Sequence, residues 1–137
     1  MKKDSPSGST APGVLSGLAA AISRLLPVPK VRVVSVDDLY GKWREVREKK
    51  SEAVLLDVRT PEEFAGGHVP GAINVPSGDP SLVPEMWPDP ETEIWVYCGT
   101  QRRSTSVASF LGKRGYRNSS VVHGGIIAWK EKGYPLD

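Results

Sequence analysis

The side chain with the clearest capacity for chemistry is Cys98, the only cysteine in this chain of 137 residues. It follows an apolar run, residues 93–97 (EIWVY), that is typical of a buried strand, and a helical pattern begins near residue 104. Open α/β sheets bind their ligands at the carboxyl ends of the strands, where this cysteine would lie. Free cysteines are often inert and buried. Because the neighbours of Cys98 are polar and basic, we expect a reactive thiol instead.

The residues that follow Cys98 predict an anion-binding loop. They are Gly99, Thr100, Gln101, Arg102, Arg103 and Ser104. The backbone N–H groups of a short wrapping loop point inward and form a nest for anions, and a helix that starts there adds the positive end of its dipole. Two arginines add full positive charges. Together these groups would favour the thiolate form of Cys98 and hold an anionic substrate against its sulfur.

The spacing of the arginines separates two kinds of chemistry. A cysteine phosphatase of the Cys-x5-Arg type needs arginine six positions after the cysteine, and here that position is Ser104. Arg103 comes one position earlier, which predicts a tighter loop. Such a loop suits a transferable sulfur atom better than a phosphoryl group. Phosphatase or arsenate reductase activity is the weaker alternative.

The elements that must position this loop follow from the hydrophobic pattern. Apolar runs predict strands over residues 31–34, 53–58, 72–75, 93–97 and 120–122, and periodic segments predict helices over 36–49, 104–114 and 126–132, with a short helix from Thr60 to Gly66. The segment from 76 to 90 reads as a long loop with one helical turn. This alternation predicts an α/β fold, a doubly wound parallel sheet of about five strands with helices on both faces.

The first thirty residues are set apart from the domain over 31–137. Residues 1–13 are rich in Ser, Gly and Pro and predict a flexible tail, and residues 14–26 predict a short amphipathic helix that packs on the domain or on a second copy. Asp4 and Arg24 interrupt the apolar pattern that a secretory signal requires. We therefore expect a cytoplasmic location, and either a monomer or a weak homodimer.

Composition excludes several classes of protein. A net charge of +2 is too small to indicate binding to nucleic acid or to a membrane surface. One cysteine and two distant histidines argue against an internal disulfide and against a metal cluster. No apolar run of 18 residues is present to span a bilayer. From Cys98 onward, seven basic residues face two acidic ones, which favours small anions as ligands.

Several ordered motifs resemble those of the rhodanese family. They are residues 56–64 (LDVRTPEEF), 67–76 (GHVPGAINVP), 97–104 (YCGTQRRS), 122–129 (VHGGIIAW) and 133–135 (GYP), within a match that covers roughly residues 31–137. The resemblance implies the rhodanese-like fold and a single-domain sulfurtransferase of the thiosulfate type. It implies no metal and no organic cofactor.

The resemblance also implies a mechanism. The Cys98 thiolate would take the sulfane sulfur of thiosulfate or a similar anionic donor and pass it, from a persulfide, to cyanide or a thiol. Backbone N–H groups of residues 99–103 would stabilise the persulfide, and Arg103, with Arg102, would hold the donor. The basic loop favours a dianion such as thiosulfate. Because no second cysteine exists, the acceptor must be external, and a non-enzymatic persulfide carrier or sensor serving one protein partner is the alternative.

Three further residues of these motifs are expected to be structural. Asp57 and Arg59 would tie the end of a central strand to neighbouring loops. His68 would fix a turn by hydrogen bonding rather than act as a base. Of the tryptophans, Trp129 is expected in the core, and Trp87 either there or at the wall of the substrate pocket. No functional role is assigned to His123, whose following glycines predict a close backbone approach.

Overall fold

Five parallel strands form one sheet in the computed structural model, which describes residues 31–137. The strands are β1 (Arg32–Val34), β2 (Val54–Asp57), β3 (Ile73–Asn74), β4 (Ile94–Tyr97) and β5 (Ser119–Val122). Their order in the sheet is β1-β5-β4-β2-β3, and every adjacent pair is parallel. The strand that leads into Cys98 therefore lies at the centre of the sheet. The predicted tail and helix of residues 1–30 lie outside the described part of the chain.

Helices connect the strands and cover both faces. They are α1 (Val36–Arg47), α2 (Pro61–Ala65), α3 (Leu82–Met86), α4 (Arg102–Lys113) and α5 (Gly125–Glu131). Ser35 and Thr60 open α1 and α2, and each forms a reciprocal capping box with the acidic residue three positions later. The predicted helical turn within residues 76–90 is α3. The α/β fold with a five-stranded parallel sheet is thus confirmed.

One boundary differs from the prediction in a way that affects the site. Helix α4 begins at Arg102 rather than near Ser104. Its N-cap residue, Gln101, makes no capping hydrogen bond with its side chain, so no local signal marks this start. Ser104, near which the helix was expected to begin, lies within its first turn and donates from its hydroxyl to the carbonyl oxygen of Gln101 at 2.8 Å. The two arginines therefore belong to the first turn of the helix.

The core is divided by the sheet into two clusters, and the alternation of strand residues decides which cluster each side chain joins. On one face Leu55, Trp95 and Tyr97 pack with residues of α1 and α5, including the fully buried Trp129. On the other face Leu56, Val96 and Cys98 pack with residues of α3 and α4. No helix within residues 31–137 combines the length and the apolar character needed to cross a bilayer.

Candidate active site

Cys98 lies directly after the central strand β4, at the carboxyl edge of the sheet, on the face that α4 covers. The residue is only 1 % exposed. It nevertheless lines an open depression of about 530 Å³. The other residues around this depression are Glu63, Gly99, Thr100, Arg102, Arg103 and Ile127. The thiol is therefore recessed beneath a shallow opening, and a small reactant could reach it from one side.

Unpaired backbone donors follow this thiol in the chain. We call residues 98–104 the Cys98 loop. Within the described residues, the N–H groups of positions 99–104 donate no hydrogen bond, and the first backbone bond of the turn runs from Thr105 N to the carbonyl oxygen of Gln101 at 2.9 Å. The unpaired donors at the amino end of a twelve-residue helix carry the positive end of its dipole. The Cys98 loop thus has the donor set of an anion site.

A hydroxyl lies against the thiol. The Cys98 Sγ donates a long hydrogen bond to the Ser104 Oγ at 3.5 Å. Because the Ser104 hydroxyl gives its own proton to the carbonyl oxygen of Gln101, its oxygen is free to accept from the thiol. Ser104 is fully buried. It therefore helps to fix the position of the sulfur from the helix side.

Arg103 is paired with Glu63, a residue to which the sequence interpretation assigned no place in the site. The guanidinium donates to both carboxylate oxygens, Nη1 to Oε1 at 2.7 Å and Nη2 to Oε2 at 3.1 Å. This pairing, followed by the hydrogen bond from the Thr60 N–H, lowers the pKa of Glu63 to about 2. The hydrogen bonds to Glu63 raise the pKa of Arg103 in turn, with a smaller contribution from Cys98.

The amino end of α5 holds the Cys98 loop from the other side. Ile126 N donates to the Cys98 carbonyl oxygen at 2.9 Å, and Ile127 N donates to the Gly99 carbonyl oxygen at 3.2 Å. These bonds turn both carbonyl groups towards α5 and away from the sulfur. Gly125 makes the approach feasible, because its φ is +53° and a Cβ there would lie 2.3 Å from the Cys98 carbonyl oxygen. This is the close approach that the paired glycines predict.

His123 also contacts the Cys98 loop, although no role was expected for it. Its Nδ1 lies 2.6 Å from the Oε1 of Gln101. Gln101 is the N-cap residue of α4, so this contact connects the β5–α5 turn with the start of the helix that carries both arginines. The glycines that follow His123 were the only signal in the sequence that this turn approaches another element.

Asp57 and Arg59 form a buried ion pair on the face of the sheet opposite Cys98. The Arg59 Nη2 donates to Asp57 Oδ2 at 2.7 Å and to the Gly67 carbonyl oxygen at 2.7 Å, which joins the strand end to the following loop. Burial opposes the charge of Arg59, but hydrogen bonds to Asp57 leave its pKa raised. Burial and the charge of Asp57 raise the pKa of Tyr97 well above its usual range. The two side chains thus connect the end of β2 with the loop that contains Gly67, and they do not line the depression around Cys98.

The remaining candidates lie away from the thiol. The His68 Nδ1 is 2.8 Å from the carbonyl oxygen of Phe64, and the two rings stack at 3.7 Å, so His68 is held within its turn. Trp87 lines a different depression, beside Ala53 and Asn118, at the amino ends of the strands. That position places Trp87 at the opposite edge of the sheet from Cys98. It does not wall the depression that contains the thiol.

Comparison with known proteins gives one consistent family. A family model described as a rhodanese-like domain matches residues 42–132, well over half of the chain. A putative sulfurtransferase, YtwF, of Bacillus subtilis is 33% identical over 67% of this chain and 87% of its own length. A sulfurtransferase of Allochromatium vinosum is 32% identical over 62% of this chain and 78% of its own length.

Comparison of the fold with solved structures points to the same family. A crystal structure of a rhodanese-related protein from Thermoplasma volcanium superimposes with a TM-score of 0.65 at 29% identity. The match covers 77% of this chain and 97% of that chain. The fold of this chain is therefore shared with a rhodanese-related protein.

Proposed function

The chain belongs to the rhodanese-like domain family, and from this membership we propose that it is an enzyme that transfers sulfane sulfur through a persulfide on Cys98. The observation that carries the proposal is the position of Cys98, which lies at the carboxyl end of β4 and is followed directly by the unpaired N–H groups of residues 99–104 and the amino end of α4. The Bacillus and Allochromatium relatives, which are named as sulfurtransferases, support sulfur transfer as the class of reaction.

The first half-reaction loads the thiol. The Cys98 thiolate attacks the outer sulfur of thiosulfate or a similar donor, and a new bond forms between the Sγ and that sulfur. The bond between the two sulfur atoms of thiosulfate breaks, and sulfite leaves with its electron pair. The product is a Cys98 persulfide anion. The N–H groups of the Cys98 loop, together with the dipole of α4, would stabilise its terminal sulfur as charge moves onto it.

The second half-reaction removes the terminal sulfur from Cys98. A nucleophilic acceptor, cyanide or a thiol, attacks the terminal sulfur, and the Cys98 thiolate leaves with the electron pair of the broken bond. Because the chain has a single cysteine, no internal thiol competes for that sulfur. The recessed position of Cys98 favours acceptors that present a narrow, exposed nucleophile. A general base is not required, since both attacking groups react as anions.

Loop length argues against the phosphatase alternative. Only residues 99–101 lie between Cys98 and the first residue of α4, Arg102. Arg103 lies in the first turn of the helix, where two of its donors are engaged by Glu63. A phosphoryl group would need more donors and more room than this short loop offers. Hydrolysis of an aryl phosphate faster than sulfur transfer would overturn this part of the proposal.

Intact-mass spectrometry after treatment with thiosulfate tests the proposal. Wild-type protein should gain the mass of one sulfur atom, and Cys98→Ser should gain none. Ser106→Ala, an exposed position on the same helix, is the matched control and should load normally. Absence of an adduct from thiosulfate and from an organic donor alike would refute the mechanism.

Addition of cyanide separates the enzyme from the carrier. An enzyme releases many equivalents of thiocyanate for each Cys98 as it cycles between thiolate and persulfide. A carrier would load sulfur but show no such turnover. Turnover of thiosulfate and cyanide that disappears in Cys98→Ser is the expected result.

A further inference from the structure

A carboxylate stands at the opening of a site whose expected ligands are anions. Glu63 lines the same depression as Cys98, although it belongs to α2, which follows a different strand. Its side chain is 40% exposed, so part of its charge faces the solvent from which a donor arrives. A negative charge in this position opposes the binding of anions, which the basic residues of the Cys98 loop attract.

Two partners hold Glu63 in place. Its Oε1 accepts from the Thr60 backbone N–H at 3.0 Å, as one half of the capping box of α2. Both of its oxygens accept from the guanidinium of Arg103. Rotation of the carboxylate away from the opening would break the capping box and the ion pair together. The charge is therefore a built feature of the site rather than a mobile surface group.

Pairing also changes the charge that a donor meets. Arg103 shares its charge with Glu63, and its Nη2 would lie 3.3 Å from a Cβ at Gly99, so it fits closely against the Cys98 loop. Arg102 is exposed and forms no ion pair within residues 31–137. Glu63, Arg102 and Arg103 together carry a net charge of about one positive unit, and the reacting Cys98 thiolate adds one negative charge, by simple addition of formal charges. So small a positive charge favours a monoanion over a dianion.

We infer that Glu63 is a specificity-determining residue, which selects sulfane-sulfur donors with a single negative charge over the dianion thiosulfate. The inference rests on the proposed function and names the donor class of the same site. It changes the expectation from the sequence, which favoured a dianion because it counted Arg102 and Arg103 without Glu63. Organic thiosulfonates are the simplest donors of the selected class.

The loading step is the same for both donors. With a thiosulfonate, the Cys98 Sγ bonds to the terminal sulfur, the bond from that sulfur to the sulfonyl sulfur breaks, and a sulfinate leaves with the electron pair. With thiosulfate the leaving group is sulfite. The same bond forms on Cys98 in each case. The two donors therefore differ mainly in charge and in the organic substituent. The substituent is the same whichever variant is tested, so its effect cancels when the ratio of the two loading rate constants is compared between wild type and variant.

Glu63→Gln removes the charge, together with one of the two hydrogen bonds from Arg103, because an amide nitrogen cannot accept. Glutamine at the third position of a capping box still accepts from the backbone N–H of the N-cap residue, so α2 keeps its cap. Coulomb energy is proportional to the charge of the ligand, so a variant that speeds loading by a monoanion about 3-fold should speed loading by a dianion by about the square, ~10-fold. Glu62→Gln removes a charge from the neighbouring position of the same helix, where the side chain is exposed. It is the matched control.

The measurement is the second-order rate constant for sulfur loading of Cys98, followed by intact mass, with benzenethiosulfonate and with thiosulfate. We expect Glu63→Gln to shift the ratio of the two rate constants about 3-fold towards thiosulfate, and Glu62→Gln to leave it within error. An unchanged ratio, a shift towards the thiosulfonate, or an equal shift in Glu62→Gln would overturn the inference. If wild-type protein loads from neither donor, the proposed function itself fails, which is a separate result.

Discussion

Gly125 permits a close backbone contact between the Cys98 loop and α5, and Gly125→Ala tests how far that contact governs the site. The added methyl carbon would lie 2.3 Å from the Cys98 carbonyl oxygen and 2.7 Å from the Gly99 carbonyl oxygen. Both atoms belong to backbone, so neither can rotate away as a flexible side chain does. We expect the Cys98 loop and the start of α5 to move apart in this variant.

The size of the effect follows from two contributions. A non-glycine residue at a φ of +53° costs about 1 kcal/mol in conformational energy. Separation of the loop from α5 weakens the hydrogen bonds from Ile126 N and Ile127 N, each worth roughly 1 kcal/mol. The free energy of unfolding should therefore fall by about 3 kcal/mol. Displacement of reacting groups by about 1 Å costs on the order of 100-fold in rate, so the loading of Cys98 should slow by that order.

Gly133→Ala supplies the matched control. Gly133 also has a positive φ, +72°, but a Cβ at this position meets nothing within 4 Å. The Gly133→Ala variant should therefore lose about 1 kcal/mol of stability from backbone conformation alone, with no change in the rate of sulfur loading. Urea denaturation measures the first quantity, and intact mass after a timed exposure to donor measures the second.

The comparison refutes the reasoning if the two variants behave alike. Equal losses of stability, with equal and near wild-type rates of loading, would mean that the contact at Gly125 relaxes at no cost to the site. A folded Gly125→Ala protein that loads slowly is the expected result. The urea denaturation curve also shows whether each variant is folded, so slow loading is interpreted only for a variant that folds.

Three further outcomes follow from the same contacts. Asp57→Asn leaves the buried guanidinium of Arg59 without its carboxylate, and it should lower the free energy of unfolding in urea by about 3–5 kcal/mol. Asp37→Asn, in an exposed pair with Lys132, should lower it by less than about 1 kcal/mol. Similar losses in the two variants would contradict this expectation. Because folding lowers the pKa of Glu63 to about 2 from 4.5, its stabilising contribution is present above about pH 4.5 and is lost as the pH falls towards 2. Urea midpoints of wild type and Glu63→Gln should therefore converge over that range, and a constant difference would contradict the assignment. Ser104→Ala removes the hydroxyl beside the thiol, and with it the hydrogen bond to the Gln101 carbonyl oxygen. It should slow loading about 10-fold or less, because the sulfur itself loses only one long hydrogen bond; a loss as large as that of Cys98→Ser would show that Ser104 does more than position the sulfur.

Local patterns account for most of the fold. The apolar runs over residues 53–58 and 93–97 predict β2 and β4, because strands buried on both faces of a parallel sheet need apolar side chains throughout. Capping boxes at Ser35 and Thr60 mark the starts of α1 and α2, since these signals lie within four residues of the helix end. The predicted start of α4 was two residues too late, because no such local signal marks this helix end. Gln101 makes no capping bond there, and tertiary contacts of the loop decide where the helix begins.

Part of the site was equally visible in the sequence. Cys98, the polar residues after it and the nearby arginines are adjacent in the chain, so the strand, loop and helix that contain them bring them together. In the sequence, Glu63 appeared only within the motif over residues 56–64 and the short helix predicted from Thr60 to Gly66. Its partner, Arg103, lies 40 positions away along the chain. No local pattern predicts that pairing.

The amino-acid sequence by itself determined the candidate thiol, the family and the alternation of strands and helices, because each depends on residues close together in the chain. Tertiary structure alone decided what surrounds the thiol. The carboxyl ends of β2 and β4 are neighbours in the parallel sheet, so Glu63, beyond one strand, meets Arg103, beyond the other. Strand β5, the other neighbour of β4 in the sheet, leads into Gly125, which packs against the Cys98 carbonyl group. The net charge at the opening of the site is therefore a property of strand order, which residue spacing near Cys98 does not reveal.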